Sequence, residues 1–384
     1  MGRVYIASVG MTPVGEHWEK SLANLSADAI SAALKDAGGI KPDALYVGNL
    51  LASAASNQSN LGTVIAENAG LHYIETFSAE AGEASGAAAF RLGYLAVLSG
   101  YIKSALVVGV EKYTDRVGPD VESLTAQTED YDFEGVQGLI PAAQAGLLMQ
   151  RYLDVYEVPR ATFGALPILA HCNAQANPNA MFRRALSPEA YNAAPVVTDP
   201  LNMFDISPYA DGAAAVLLVS DDLIKKVKNP LVRVMASESA VDTLALHDRP
   251  DPLVFSASAL SLQKAMLKAG TDWADISLFE LWDAYSIFGV LAVEACGLAP
   301  RGEGWRWLHE TDISLNGELP LLTMGGNKAR GFPLGAAGVY QIAEAALQLR
   351  GQAGDNQVPG VLTALIQSMG GPAANVFTHI LTNN

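Results

Sequence analysis

Short apolar runs alternate with longer stretches of helical spacing along most of this chain. Val4–Val9, Leu45–Val47 and Ala105–Val110 are rich in β-branched and aliphatic residues and predict strands. Between them, Leu22–Asp36 and Leu61–Gly70 carry apolar residues at helical spacing, with Asn24 or Ser26 as the expected first N-cap and Gly38 as its stop. Strands alternating with helices predict a mostly parallel sheet covered on both faces, an α/β fold. The pattern breaks over about 116–200, where Pro, Asn, Gln and Asp accumulate around a helix at Ala142–Tyr156 and irregular stretches near Pro119 and Pro195. Asp211–Ser220 reads as a buried strand returning to the first sheet. From Val232 the alternation restarts with a strand at Val232–Met235, helices at Ser258–Ala269 and Ser286–Cys296, and strands at Thr363–Gln367 and Val376–Leu381. A second α/β unit of similar size predicts an internal duplication. The expected domains are 1–118, completed by about 201–225; a loop domain over 119–200; and a second half over 226–384.

Composition narrows the function. Half of the 384 residues are hydrophobic and 17% are charged, which fits a large buried core rather than disorder. The formal net charge of −16 argues against nucleic acid or an anionic membrane as a main partner. No apolar run reaches the ~18 residues of a membrane span. Cys172 and Cys296 lie far apart and match no metal spacing, so a reduced, cytoplasmic protein without a metal is expected.

The most telling residue is Glu83, within Ala79-Glu80-Ala81-Gly82-Glu83-Ala84-Ser85-Gly86-Ala87-Ala88-Ala89-Phe90. Small residues at a loop-to-helix junction allow close backbone approach and leave N–H groups free at the helix start. An enzyme places a nucleophile there when its attack builds negative charge, and a cysteine would have a lowered pKa. This chain has a carboxylate instead, and Ser85 is expected to point elsewhere.

This stretch resembles the thiolase superfamily, nearest the sterol-carrier-protein-type and archaeal-type thiolases (acetyl-CoA acetyltransferase-like), whose motif reads roughly Glu-Ala-Ala-Cys-Ala-Ser-Gly-Gly. Glu83 falls on the catalytic cysteine. The resemblance runs through Val4–Thr12 (a strand, then a Gly-Met-Thr turn), Tyr46–Asn49, Leu106–Asp115, Asn177-Pro178 and Asp205–Val216 in the family's order. It implies the thiolase fold, two βαβαβαββ halves in five αβαβα layers. Glu280-Leu281-Trp282-Asp283-Ala284-Tyr285-Ser286 is similar to the family's Glu-x-His-Asp-Cys-Phe-Thr, so Trp282 replaces an oxyanion-hole histidine and Ala284 the acid/base cysteine. Asp283 is expected to cap a helix and Tyr285 to pack as a phenol. In Gly325-Gly326-Asn327-Lys328-Ala329-Arg330-Gly331-Phe332-Pro333, Phe332 stands where the family has the histidine that activates the nucleophile. Gly370 and Gly371 match the turn whose backbone N–H serves the other oxyanion hole.

Acyl exchange beside a thioester needs a nucleophile, a proton carrier and oxyanion sites. The scaffold is kept and the groups for that chemistry are replaced together. The first expectation is therefore a non-catalytic or partner subunit that binds acyl-CoA. An aldolase or lyase using Glu83 with Tyr285 is the alternative, and an acyltransferase working through Glu83 a second one. No cofactor is expected beyond coenzyme A or acyl-CoA as ligand. Because that ligand is anionic, the basic candidates for it are Arg183 with Arg184, Arg249, and Lys328 with Arg330. His171 and His247 can line its approach, while His17, His72, His309 and His379 are expected to be structural. The resemblance also implies a homodimer through the strand near the nucleophile loop, for which Phe77–Ala79 is the candidate. A zinc-ribbon/OB-fold protein or an intact thiolase is the expected partner.

Overall fold

The structure, a computed structural model, describes residues 2–383. A nine-stranded sheet runs in the order Glu75–Ala79, Ala44–Gly48, Ser104–Glu111, Gly212–Ser220, Val4–Met11, Val232–Val241, Asn375–Thr382, Thr363–Gly370, Leu278–Glu280. It is a mixed sheet. Parallel pairing joins Ala44–Gly48 to both of its neighbours and Leu278–Glu280 to Thr363–Gly370, where helices make the crossovers. The other ladders are antiparallel, including the Thr363–Gly370 and Asn375–Thr382 hairpin. The first five strands and the last four form two half-sheets. They touch edge to edge where Val4, Tyr5 and Ile6 face Val234, Arg233 and Val232.

Helix packing supplies the layers. Leu22–Asp36 and Leu61–Asn68 cover one face of the first half-sheet, and Ser256–Ala269 covers the outer face of the second. Ser85–Leu98 and Ala337–Leu349 pack against each other between the half-sheets. The order is helix, sheet, helix, sheet, helix, the five-layered thiolase fold. Ala337–Leu349 is buried at nearly every position because a sheet or helix faces it on all sides. Each large aliphatic side chain so buried stabilises the fold by about 1.5–3 kcal/mol.

Two local expectations change. The first helix is capped by Ser21, whose hydroxyl accepts from the Asn24 amide, rather than by Asn24 or Ser26. Ser21 has extended backbone angles and Leu22 is already helical, so the cap lies just before the apolar face begins. Gly10 and Met11, expected to turn, continue the first strand because they pair with Ala215 and Ala214.

Candidate active site

The loop that carries Glu83 is held by its neighbours' small size. A Cβ on Gly48 would lie 2.5 Å from the Gly86 Cα, and one on Gly86 would lie 2.7 Å from the Gly335 carbonyl oxygen. The helix start therefore rests directly on a strand of its own half and on the Gly335 turn of the other. Ser85 turns back into the loop, donating to the Gly82 carbonyl at 2.5 Å and accepting from the Ala81 amide. It is not available as a nucleophile.

Glu83 is 7% exposed, and its Oε2 accepts a 2.7 Å hydrogen bond from the Gly371 amide. Gly371 has φ 58°, a left-handed conformation that glycine adopts without strain, and this aims its N–H at the carboxyl group. Arg249 anchors the same turn by donating to the Pro372 carbonyl at 2.8 Å and to the Thr243 carbonyl at 2.7 Å. Burial pushes the Glu83 pKa above the usual carboxylate range, and the Gly371 amide only partly offsets this.

A second carboxyl deepens the effect. Glu129 is buried, its Oε2 has no hydrogen-bond partner, and burial first, then repulsion from Glu83 and Glu134, pushes its pKa up to about 9. The Tyr285 phenol lies in the same field: desolvation, Tyr209, Glu83 and Glu129 all hold it well above its ordinary value. Glu129 is therefore a neutral carboxylic acid at pH 7, within the electrostatic field of Glu83.

The other candidate positions Trp282, Ala284 and Phe332 are buried and apolar. Trp282 and Phe332, 1% and 4% exposed, meet edge to face with ring centroids 5.6 Å apart. The Phe332 backbone is fixed by its amide, donating to Pro208, and by the Tyr113 hydroxyl, donating to its carbonyl. The buried Ala284 carbonyl accepts from the Ser207 amide. Asp283 is a helix cap, though of a different helix from its own: its carboxylate accepts from the Asn327 and Lys328 amides at the start of Gly326–Arg330. Tyr285 packs edge to face on Phe288 at 5.0 Å.

The basic candidates do not gather into an anion site. Arg330 is fully buried and pairs with Glu344 at 2.6 Å, Arg249 is buried against carbonyls, and Lys328 is buried with Nζ on the Asp205 carbonyl. Their sequence cluster reads as surface charge, but the five-residue helix carrying Lys328 and Arg330 is entirely buried. Arg183 and Arg184 are exposed in a shallow cleft beside His171, while His247 faces Glu134 at 3.6 Å elsewhere on the loop region. Among the other histidines, His379 is buried against Phe90 and bonded to Ser237, His17 meets the Pro13 carbonyl, and His309 meets the Thr162 carbonyl. Cys296 is no substitute nucleophile, since burial pushes its thiol up to about 12. Sequence reasoning missed Glu129 and also Glu111. The latter accepts from Asn49, Leu50, Leu51 and Gly335 and so holds the Gly335 turn against the first half. No group of acids, histidines and cysteines among the described residues is arranged to hold a metal, and no described helix is long and apolar enough to cross a membrane.

Known proteins match this arrangement end to end. The families described as "Thiolase, N-terminal domain" and "Thiolase C-terminal domain-like" match residues 4–222 and 238–383. The chain is 37% identical to an acetyl-CoA acetyltransferase of Methanothermobacter thermautotrophicus, over all of both chains. It is 28% identical to the benzoylsuccinyl-CoA thiolase subunit BbsB of Thauera aromatica, over 93% of this chain and 90% of that one. A solved chain of the Ltp2-ChsH2(DUF35) aldolase superimposes with a TM-score of 0.86 over 99% of this chain and 97% of that one, at 22% identity. With this fold, and with both family domains matched in order, the chain belongs to the thiolase family.

Proposed function

We propose that this thiolase-family chain binds an acyl-CoA-related ligand without running the family's acyl exchange, and works as a partner subunit. One observation carries the reading: the Glu83 carboxyl occupies the Gly371 amide, the donor expected to receive a thioester oxygen. An acyl anhydride on Glu83 would hydrolyse in competition with transfer, and neither Phe332 nor Ala284 can move a proton. A homodimer is the expected assembly, because the Glu75–Ala79 strand ends the sheet with Phe77 56% exposed. A zinc-ribbon/OB-fold protein or an intact thiolase is the expected further partner. Two of the similar proteins are themselves named as a subunit and as a complex, which supports this. The test is an assay of acetoacetyl-CoA thiolysis and condensation on purified protein. Turnover should stay at background; a rate within about tenfold of an ordinary thiolase, ~1.4 kcal/mol in barrier, overturns the proposal.

A lyase or aldolase is the second reading, favoured by the Glu83–Glu129 environment. Carbon–carbon cleavage of a β-hydroxyacyl compound needs a base for the hydroxyl proton and an acid for the departing carbanion. Glu129, held neutral, beside Glu83 and Tyr285 provides groups of both kinds. Release of an aldehyde or ketone from a β-hydroxyacyl-CoA, lost on Glu83→Gln, would favour this reading over the first.

A further inference from the structure

The loop region and the Gly326–Arg330 helix line a cavity of about 430 Å³, within the range of small-molecule sites. Ile140, Phe182, Met203, Phe204 and Ile206 give it an apolar lining, and Lys328 forms part of its wall. Lys328 is 2% exposed, and its Nζ donates a 2.9 Å hydrogen bond to the Asp205 carbonyl, which lies between the lining residues Phe204 and Ile206. An ammonium group has three donors, and this is its single hydrogen bond among the described residues.

Among the other buried cations, Lys112, Arg330 and Arg350 each have a carboxylate within 4 Å, and Arg249 donates to the Thr243 and Pro372 carbonyls with one terminal nitrogen left unpartnered among the described residues. Lys328 has no carboxylate at ion-pair distance among the described residues. The acids whose fields reach it are committed elsewhere, Asp283 to the helix cap and Asp205 to Tyr191 and Asn202. Glu122, exposed, and His171, bonded to the Arg184 carbonyl, also face the cavity. An unpaired buried cation is costly, and the spare donors with an apolar surround describe what would relieve it.

We infer that this cavity binds an amphipathic carboxylate, its apolar body against Phe182, Phe204 and Ile206 and its carboxylate on the Lys328 ammonium. The carboxylate can belong to a free acid or to the far end of an acyl group carried as a thioester. The inference goes beyond the reading of Glu83, and the presence or absence of acyl transfer does not bear on it. Burial pulls Lys328 down to about 8, so the ammonium form still predominates at pH 7.

Calorimetry on the full chain at pH 7 tests this with octanoate and phenylacetate against their amides, and with glutaryl-CoA against butyryl-CoA. At least one carboxylate probe should bind saturably and at least tenfold more tightly than its uncharged partner. Lys328→Met should erase that difference. Val197→Trp, at a 61% exposed lining residue, should weaken binding while leaving the circular dichroism spectrum unchanged. Preference for the free acids assigns the site to them, and preference confined to glutaryl-CoA assigns it to a distal carboxylate; both uphold the inference. Equal binding of acid and uncharged partner, a preference that persists in Lys328→Met, or no saturable binding at all overturns it. If Lys328→Met does not fold, the wild-type pH profile decides. Carboxylate affinity should fall as pH rises past about 8 while amide affinity stays level, and a flat carboxylate profile overturns the inference. His171, whose pKa burial lowers, stays neutral over that range.

Discussion

The rings of Trp282 and Phe332 pack edge to face 5.6 Å apart, each buried by the other and by the core. An aromatic pair of this geometry is worth about 0.5–1.5 kcal/mol beyond the area it buries. The two rings support each other sterically, and this bears on the outcome of changing them. Glu83→Cys alone should leave acetoacetyl-CoA turnover at background, because no group remains to take the thiol proton. Glu83→Cys with Phe332→His and Ala284→Cys should do better, with Trp282 controlling how far. Steady-state assays of both variants decide it, and a large gain from the single change would mean that another residue supplies the base.

Glu129 should make the protein less stable as pH rises. Its folded pKa of about 9 lies above the ordinary 4.5, so its contribution is fully present below pH 4.5 and is lost progressively towards pH 9. Glu129→Gln removes that dependence and should raise Tm at pH 8 more than at pH 5. Thermal melts across this range would contradict the account if wild type and variant ran parallel.

Asp211 acts at the other end of the scale. It accepts from the Tyr113 and Thr114 amides and the Thr114 hydroxyl, and pairs with buried Lys112 at 3.0 Å. Burial raises its pKa, but these bonds outweigh it and hold the pKa below the ordinary 3.8. Its stabilisation is present above that value and lost as pH falls through the lower folded one. Asp211→Asn removes one of the two carboxylates on Lys112, leaving Asp115 at 2.6 Å, and should cost about 1–3 kcal/mol at neutral pH, read by urea unfolding.

Arg249 offers a test of the turn. Arg249→Met keeps the stem and removes the bonds to Thr243 and Pro372, so the Gly371 amide should lose its fixed aim at Glu83. Amide hydrogen exchange at Gly371 should speed up by an order of magnitude or more, while exchange in the central Ala337–Leu349 helix stays slow.

The parts of this site that could be read in the sequence lie in short contiguous stretches. Glu83, Trp282, Phe332 and Gly371 each sit in a run whose neighbours are distinctive, and the fold brings Glu83 to Gly371 and Trp282 to Phe332. Glu129 sits among Thr128, Asp130 and Asp132, a polar stretch that reads as solvated loop. Its burial comes from how the loop region folds over the half-sheets, which no local pattern carries. Lys328 and Arg330 misled for a related reason. Their partners, Asp205 and Glu344, are 123 and 14 residues away, and a charged pair in sequence carries no sign of whether solvent or protein will surround it.

Glu111 accepts hydrogen bonds from Leu50 and Leu51 in the first half and from Gly335 in the second. A first half produced alone would leave that carboxyl group short of one amide and uncovered on the Gly335 side. Two halves produced as separate polypeptides would have to find that amide by diffusion. One continuous chain presents it at an effective concentration of roughly millimolar or more. The tandem arrangement thus has a mechanical meaning: each copy finishes the other's interior, and neither is a cassette that can be cut out and moved.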